Sequence, residues 1–194
     1  MADRRFSQAI SEGDGISVIA AVEDAASARD AASQRAEALV VEGDAREVHE
    51  ATPLPVLWRA DISVEEAAEV ADAYLIVYHA LEDDGDLEQR HRRALDLGLD
   101  CVVVVRDEEE LEQALERVDP EILLLSPRDA DDHEQAFACV LDLLPDVPAG
   151  KLAIADLPRT TPDDIRELER AGVDAVIVQA RDIASLAGGP PPEV

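Results

Sequence analysis

The stretch Cys101-Val102-Val103-Val104-Val105, followed directly by Arg106-Asp107-Glu108-Glu109-Glu110-Leu111, decides the fold. Five consecutive apolar residues, four of them β-branched, read as a strand buried on both faces, and such strands occur in parallel sheets covered by helices. Asp107 and the three glutamates after it place acids in the first turn of a helix, where the backbone dipole favours them. A buried strand running straight into a helix is half of a β/α unit. Outward from it, similar apolar runs recur at Ile16–Val22, Ala38–Val41, Pro55–Trp58, Tyr74–Tyr78, Ile122–Leu125, Lys151–Ala155 and Ala175–Val178. Each pair of neighbours leaves room for one helix and two loops, which predicts parallel strands with right-handed crossovers.

The stretches between the runs carry helix start and stop signals. Ser63 with Glu66 has the capping-box spacing, and Thr161-Pro162 puts proline at the first helical position after a threonine cap. Gly98 and Gly172 stand where helices end before a strand. Eight β/α units predict a compact (β/α)8 TIM barrel; a doubly wound open sheet is the alternative, but its glycine-rich loop after the first strand is missing. The expected organisation is a tail over residues 1–13, a single barrel domain over 14–187 and a tail over 188–194.

Composition narrows the function classes. The chain has 194 residues, 17 basic against 45 acidic, for a net charge of −28, with 47% hydrophobic residues. That charge repels nucleic-acid phosphates and anionic membranes, so neither is an expected partner. Lys151 is the only lysine and the other sixteen basic residues are arginines. Acid excess with almost no lysine resembles proteins that work in concentrated salt. Cys101 and Cys139 lack metal-site spacing, which suggests a reducing, cytoplasmic setting and no metal or cofactor. No signal peptide and no membrane span are read from the chain. Monomer and homodimer both remain open.

Several segments resemble indole-3-glycerol-phosphate synthase. Ile16-Ser17-Val18-Ile19-Ala20 is similar to that family's first-strand motif, and Leu54-Pro55-Val56-Leu57-Trp58-Arg59 to its third. Asp96–Leu111, Pro148–Asp164 and Ala171–Val178 resemble its fifth, seventh and eighth units, in order. The family's N-terminal extension, with its extra helix, is not matched. The resemblance implies a ring closure in which an anionic carboxyphenylamino-deoxyribulose phosphate loses carbon dioxide and water. It also implies a lysine as general acid, a glutamate as its counterpart and a phosphate cradle at the last two strands.

Residue by residue the chain departs from those motifs. The first-strand glutamate and lysine become Ala21 and Glu23, the third-strand lysine becomes Arg59, and the fifth-strand glutamate becomes Val104. The sixth-strand amides give way to Ser126-Pro127, with Arg128 and Asp129 kept. The seventh strand ends Asp156-Leu157-Pro158, keeping an acid and losing an N–H, and a glycine of the eighth becomes Gln179. Arginine keeps charge but is a poor proton donor near neutral pH, and valine does not titrate.

Barrel function sits at the C-terminal strand ends. The candidate catalytic residues there are Arg59, Asp156 and His79. The candidate substrate-binding residues are Arg128, Arg106, Arg181 and Glu23, which would take a small anionic ligand. The alternative is that each arginine pairs with a nearby acid while Asp107, Asp129 and Asp182 cap helices. Two functional classes follow. A non-catalytic binding or partner module predicts a closed or apolar mouth. An enzyme, either the family carboxy-lyase of tryptophan biosynthesis or one acting on another small anion, predicts an open pocket with Arg59, Arg128, His79 and Asp156 convergent.

Overall fold

A computed structural model describes residues 5–13, 15–60, 62–77, 86–127 and 132–186. Eight parallel strands follow one another around a closed barrel. They are β1 (Ser17–Val22), β2 (Ala38–Val41), β3 (Val56–Trp58), β4 (Ala73–Val77), β5 (Asp100–Val105), β6 (Ile122–Leu125), β7 (Leu152–Asp156) and β8 (Ala175–Gln179). The (β/α)8 expectation holds, and every predicted apolar run contains one of these strands to within a residue or two.

The α-helices among the described residues are α1 (Arg5–Ser11), α2 (Ala25–Ser33), α3 (Ala45–Ala51), α4 (Val64–Val70), α5 (Asp86–Asp96), α6 (Glu108–Arg117), α7 (His133–Leu143), α8 (Pro162–Ala171) and α9 (Ile183–Leu186). The predicted caps form. Ser63 and Thr161 each close a capping box, and Asp107 accepts from the Glu110 amide. Gly172 ends α8 at φ 99°, a left-handed conformation in which a side chain would be strained.

Strand alternation splits the apolar residues into two cores. Ile19, Val40, Leu57, Leu75, Val102, Val104, Leu124, Ile154 and Ile177 fill the barrel interior. Their neighbours Ala20, Val41, Val56, Ile76, Val103, Leu123, Ala155 and Val176 face the helices. This is why the strands read as unbroken apolar runs.

Part of the segment expected as an N-terminal tail is ordered against the barrel. Residues 5–11 form helix α1, and Phe6 and Ile10, 0% and 2% exposed, join the interior core. The Ser7 amide donates to Asp100 Oδ2 at 2.7 Å, and Arg5 meets Asp72 at 3.0 Å, so α1 closes the N-terminal end of the barrel. Two apolar residues four apart are too short a pattern to announce a helix; the open barrel floor supplies the burial that makes it one.

Acids also stitch that floor. Val18 N donates to Glu37 at 2.8 Å, Val56 N to Asp72 at 3.0 Å and Ala153 N to Asp174 at 2.8 Å. Part of the acid excess therefore satisfies strand-end amides that would otherwise be buried without partners.

Candidate active site at the C-terminal mouth

The alternation that fills the interior also chooses the mouth residues. Two positions beyond Leu57, Leu124 and Ile154, each of which points inward, stand Arg59, Ser126 and Asp156. Arg59 Nη2 lies 3.0 Å from Asp156 Oδ2, joining the ends of β3 and β7, which are opposite each other in the eight-strand ring. Ser126 Oγ approaches the same carboxylate oxygen at 3.4 Å, and Glu42 Oε1 lies 3.7 Å from Arg59 Nη1. The two bridging side chains are only 27% and 21% exposed, so water screens the pair less than a surface ion pair.

Beside this bridge lies a cavity of about 360 Å³. It follows the arc β7–β8–β1–β2–β3 and is lined by Ala21, Glu23, Glu42, Arg59, Asp156, Arg159, Gln179, Arg181 and Asp182, among others. Four of the predicted site residues, Arg59, Asp156, Arg181 and Glu23, are thus brought together. Arg106 is not. Its guanidinium turns to Glu110, with Nη2 at 2.7 Å and Nε at 3.1 Å from Oε1, while its amide donates to Oε2 at 2.9 Å. The first turn of α6 thereby absorbs it. His79, Arg128 and Asp129 lie outside the described residues.

Helix capping removes further strand-end acids from the site. Asp24, Asp44 and Asp107 accept amides of α2, α3 and α6. Asp182 instead sits in a 3-10 turn over Ala180–Asp182, with Arg181 Nε 3.9 Å from its carboxylate. Sequence reading left Ser126 and Glu42 out of the site. The period-two signal from Leu124 and Val40 was available to find them. Among the described residues no group of three or more His, Cys, Asp or Glu is placed to hold a metal ion. No described helix is long and apolar enough to cross a membrane.

The model of the indole-3-glycerol phosphate synthase family matches residues 43–181. The chain belongs to the indole-3-glycerol phosphate synthase family. It is 31% identical over 138 residues to the indole-3-glycerol phosphate synthase of Geobacillus sp. (strain WCH70), covering 68% of this chain and 53% of that protein. With the Variovorax paradoxus (strain S110) protein of the same name it shares 35% over 131 residues, 64% of this chain and 48% of that one. The match thus spans about half the length of these relatives. Among solved structures, thiamine phosphate pyrophosphorylase from Pyrococcus furiosus superposes with a TM-score of 0.65 at 15% identity, over 88% of this chain and 89% of that one. That likeness concerns the fold alone.

Ala21, Glu23, Val104 and Pro158 fall on the wall and rim of the mouth. Val104 is 6% exposed within the interior core, and Ala21 lines the cavity, so both positions present hydrocarbon. Glu23 stands exposed at the rim. Pro158 lines the cavity without an N–H to offer an anion.

Proposed function

We propose that this barrel is a divergent synthase-family member that has lost the ring-closing reaction and binds a small ligand bearing an anionic group at its mouth. One observation carries the reading: the family's proton-donor position is Arg59, already bound to Asp156 at 3.0 Å, between inner-wall positions that have become Ala21 and Val104. Proton transfer needs a group whose pKa lies near the working pH. A guanidinium tied to a carboxylate stays charged, and alanine and valine carry no proton to exchange. The mouth is open and charged along the arc of the cavity rather than closed or apolar as expected of a non-catalytic module, so the loss proposed here concerns the ring-closing reaction and not ligand binding. Two unpaired cysteines and the acid-rich surface fit a reducing, salt-rich cytoplasm.

The test is a turnover assay with the family substrate in molar potassium chloride, followed by indole fluorescence. Circular dichroism in the same buffer establishes that the protein is folded. No turnover is expected. Turnover that disappears in Arg59→Ala would show arginine acting in place of lysine and overturn the proposal.

A further inference from the structure

The mouth cavity is electrostatically two-sided. Arg159 and Arg181 stand beyond the ends of β7 and β8, whereas Glu23 and Glu42 stand beyond the ends of the neighbouring β1 and β2. The Arg59–Asp156 bridge bounds the space between them, and Glu42 lies 3.7 Å from the same guanidinium. Among the described residues the side chains of Glu23 and Arg159 make no ion pair, and Arg181 has only the 3.9 Å approach to Asp182. Among the described residues an unpaired cation, Arg159, and an unpaired carboxylate, Glu23, thus line one cavity, the first beyond β7 and the second beyond β1.

We propose that this cavity takes a small dipolar ligand, with a carboxylate or phosphate held by Arg159 and Arg181 and a protonated amine held by Glu23 and Glu42. The inference rests on the reading of the barrel as a binding module and names the class of ligand. Guanidinium forks suit the anionic end. Two strand spacings separate the paired ends, on the order of 10 Å, so the ligand's charges must sit on a spacer rather than on adjacent atoms. A polyanion would meet two arginines but would also be repelled by the Glu23 carboxylate, which no described cation neutralises, and by Glu42, which shares Arg59 with Asp156. The same arrangement disfavours a simple diamine. Selectivity thus comes from the repulsive half of the cavity as much as from the attractive half.

Three six-carbon probes isolate the charge pattern: 6-aminohexanoate, adipate and 1,6-diaminohexane, with inorganic phosphate as a fourth. Binding is measured by calorimetry at the lowest potassium chloride concentration that preserves the native circular dichroism spectrum. We expect 6-aminohexanoate to bind roughly ten-fold tighter than the other three, as one well-placed charge contact predicts. Glu23→Gln should close the gap to adipate, and Arg181→Ala the gap to the diamine; both positions are exposed, so folding should survive. Adipate or phosphate binding as tightly as the dipolar probe would reduce the site to an anion site and overturn the proposal. Equal binding of the diamine would reduce it to a generally acidic surface, and silence from all four probes would equally refute it. Turnover of the family substrate would remove the functional reading itself, whereas an inactive barrel without dipolar preference would remove only this inference.

Discussion

Arg59 and Asp156 meet at 3.0 Å although 97 residues separate them in the chain. They rise from opposite strands, β3 and β7, and their bridge bounds the cavity that follows the arc through β8, β1 and β2. A double-mutant cycle with Arg59→Ala and Asp156→Ala should give a coupling of about 1–2 kcal/mol, between an exposed pair and a fully buried one. Denaturant titrations of the four proteins measure it. A coupling indistinguishable from zero would mean that the bridge does not organise the mouth.

Helix α1 should be part of the stability of the barrel. Phe6→Ala removes a fully buried ring from the interior core and should cost about 3–5 kcal/mol in equilibrium unfolding. A loss below about 1 kcal/mol would show that α1 is dispensable to the floor.

Arg106 separates structure from ligand binding. Arg106→Ala leaves Glu110, whose side chain is 6% exposed, without its guanidinium partner and should lower the unfolding midpoint. Ligand affinity at the mouth should stay within two-fold of the native value, roughly the scatter expected for a site without contact. A large affinity loss in folded protein would return Arg106 to the binding site.

Acid should destabilise the protein through specific carboxylates. Hydrogen bonds from Ser27 hold Asp24 below its ordinary value, Arg93 does the same for Glu65, Ser63 for Glu66 and Arg117 for Glu88. Depressed folded-state values mean that the unfolded chain binds more protons in this range, so stability is present above the ordinary carboxylate pKa and lost as pH falls through the folded values. Asp174 has the opposite sign, because burial raises it. Its ionisation opposes folding, and that cost grows as pH rises from its ordinary value through its folded value. Asp174→Asn should therefore compare more favourably with the native protein at pH 7 than at pH 3. Urea midpoints at the two pH values check both signs; an Asn variant with the same relative stability at each would refute the second.

Salt should raise stability. With a net charge of −28, much of the surface repels itself, and screening shortens the reach of that repulsion from about 10 Å at 0.1 M to about 3 Å at 1 M. The thermal midpoint should rise between those two potassium chloride concentrations. A flat or falling midpoint would show that the local ion pairs outweigh the net charge.

Much of the architecture was legible from local signals. Val102–Val105 announced a strand covered on both faces, Asp107 the next helix, and Thr161-Pro162 the start of α8. Those signals act within one helical turn or along one strand, so the chain carries them without reference to its fold. The motif comparison likewise placed Arg59 and Asp156 at the strand ends.

What the sequence by itself determined is therefore the eight β/α units, their caps and the presence of Ala21, Arg59 and Val104 on the strands or just beyond their ends. The tertiary structure alone decided which charges meet. Arg106 and Arg181 look alike in the chain, each a strand-end arginine followed by aspartate, yet one is bound to Glu110 and the other lines the cavity. Phe6 reads as part of a tail and becomes the barrel floor. Barrel closure causes these differences, because register and strand order bring together side chains far apart in sequence, and no local pattern encodes that distance.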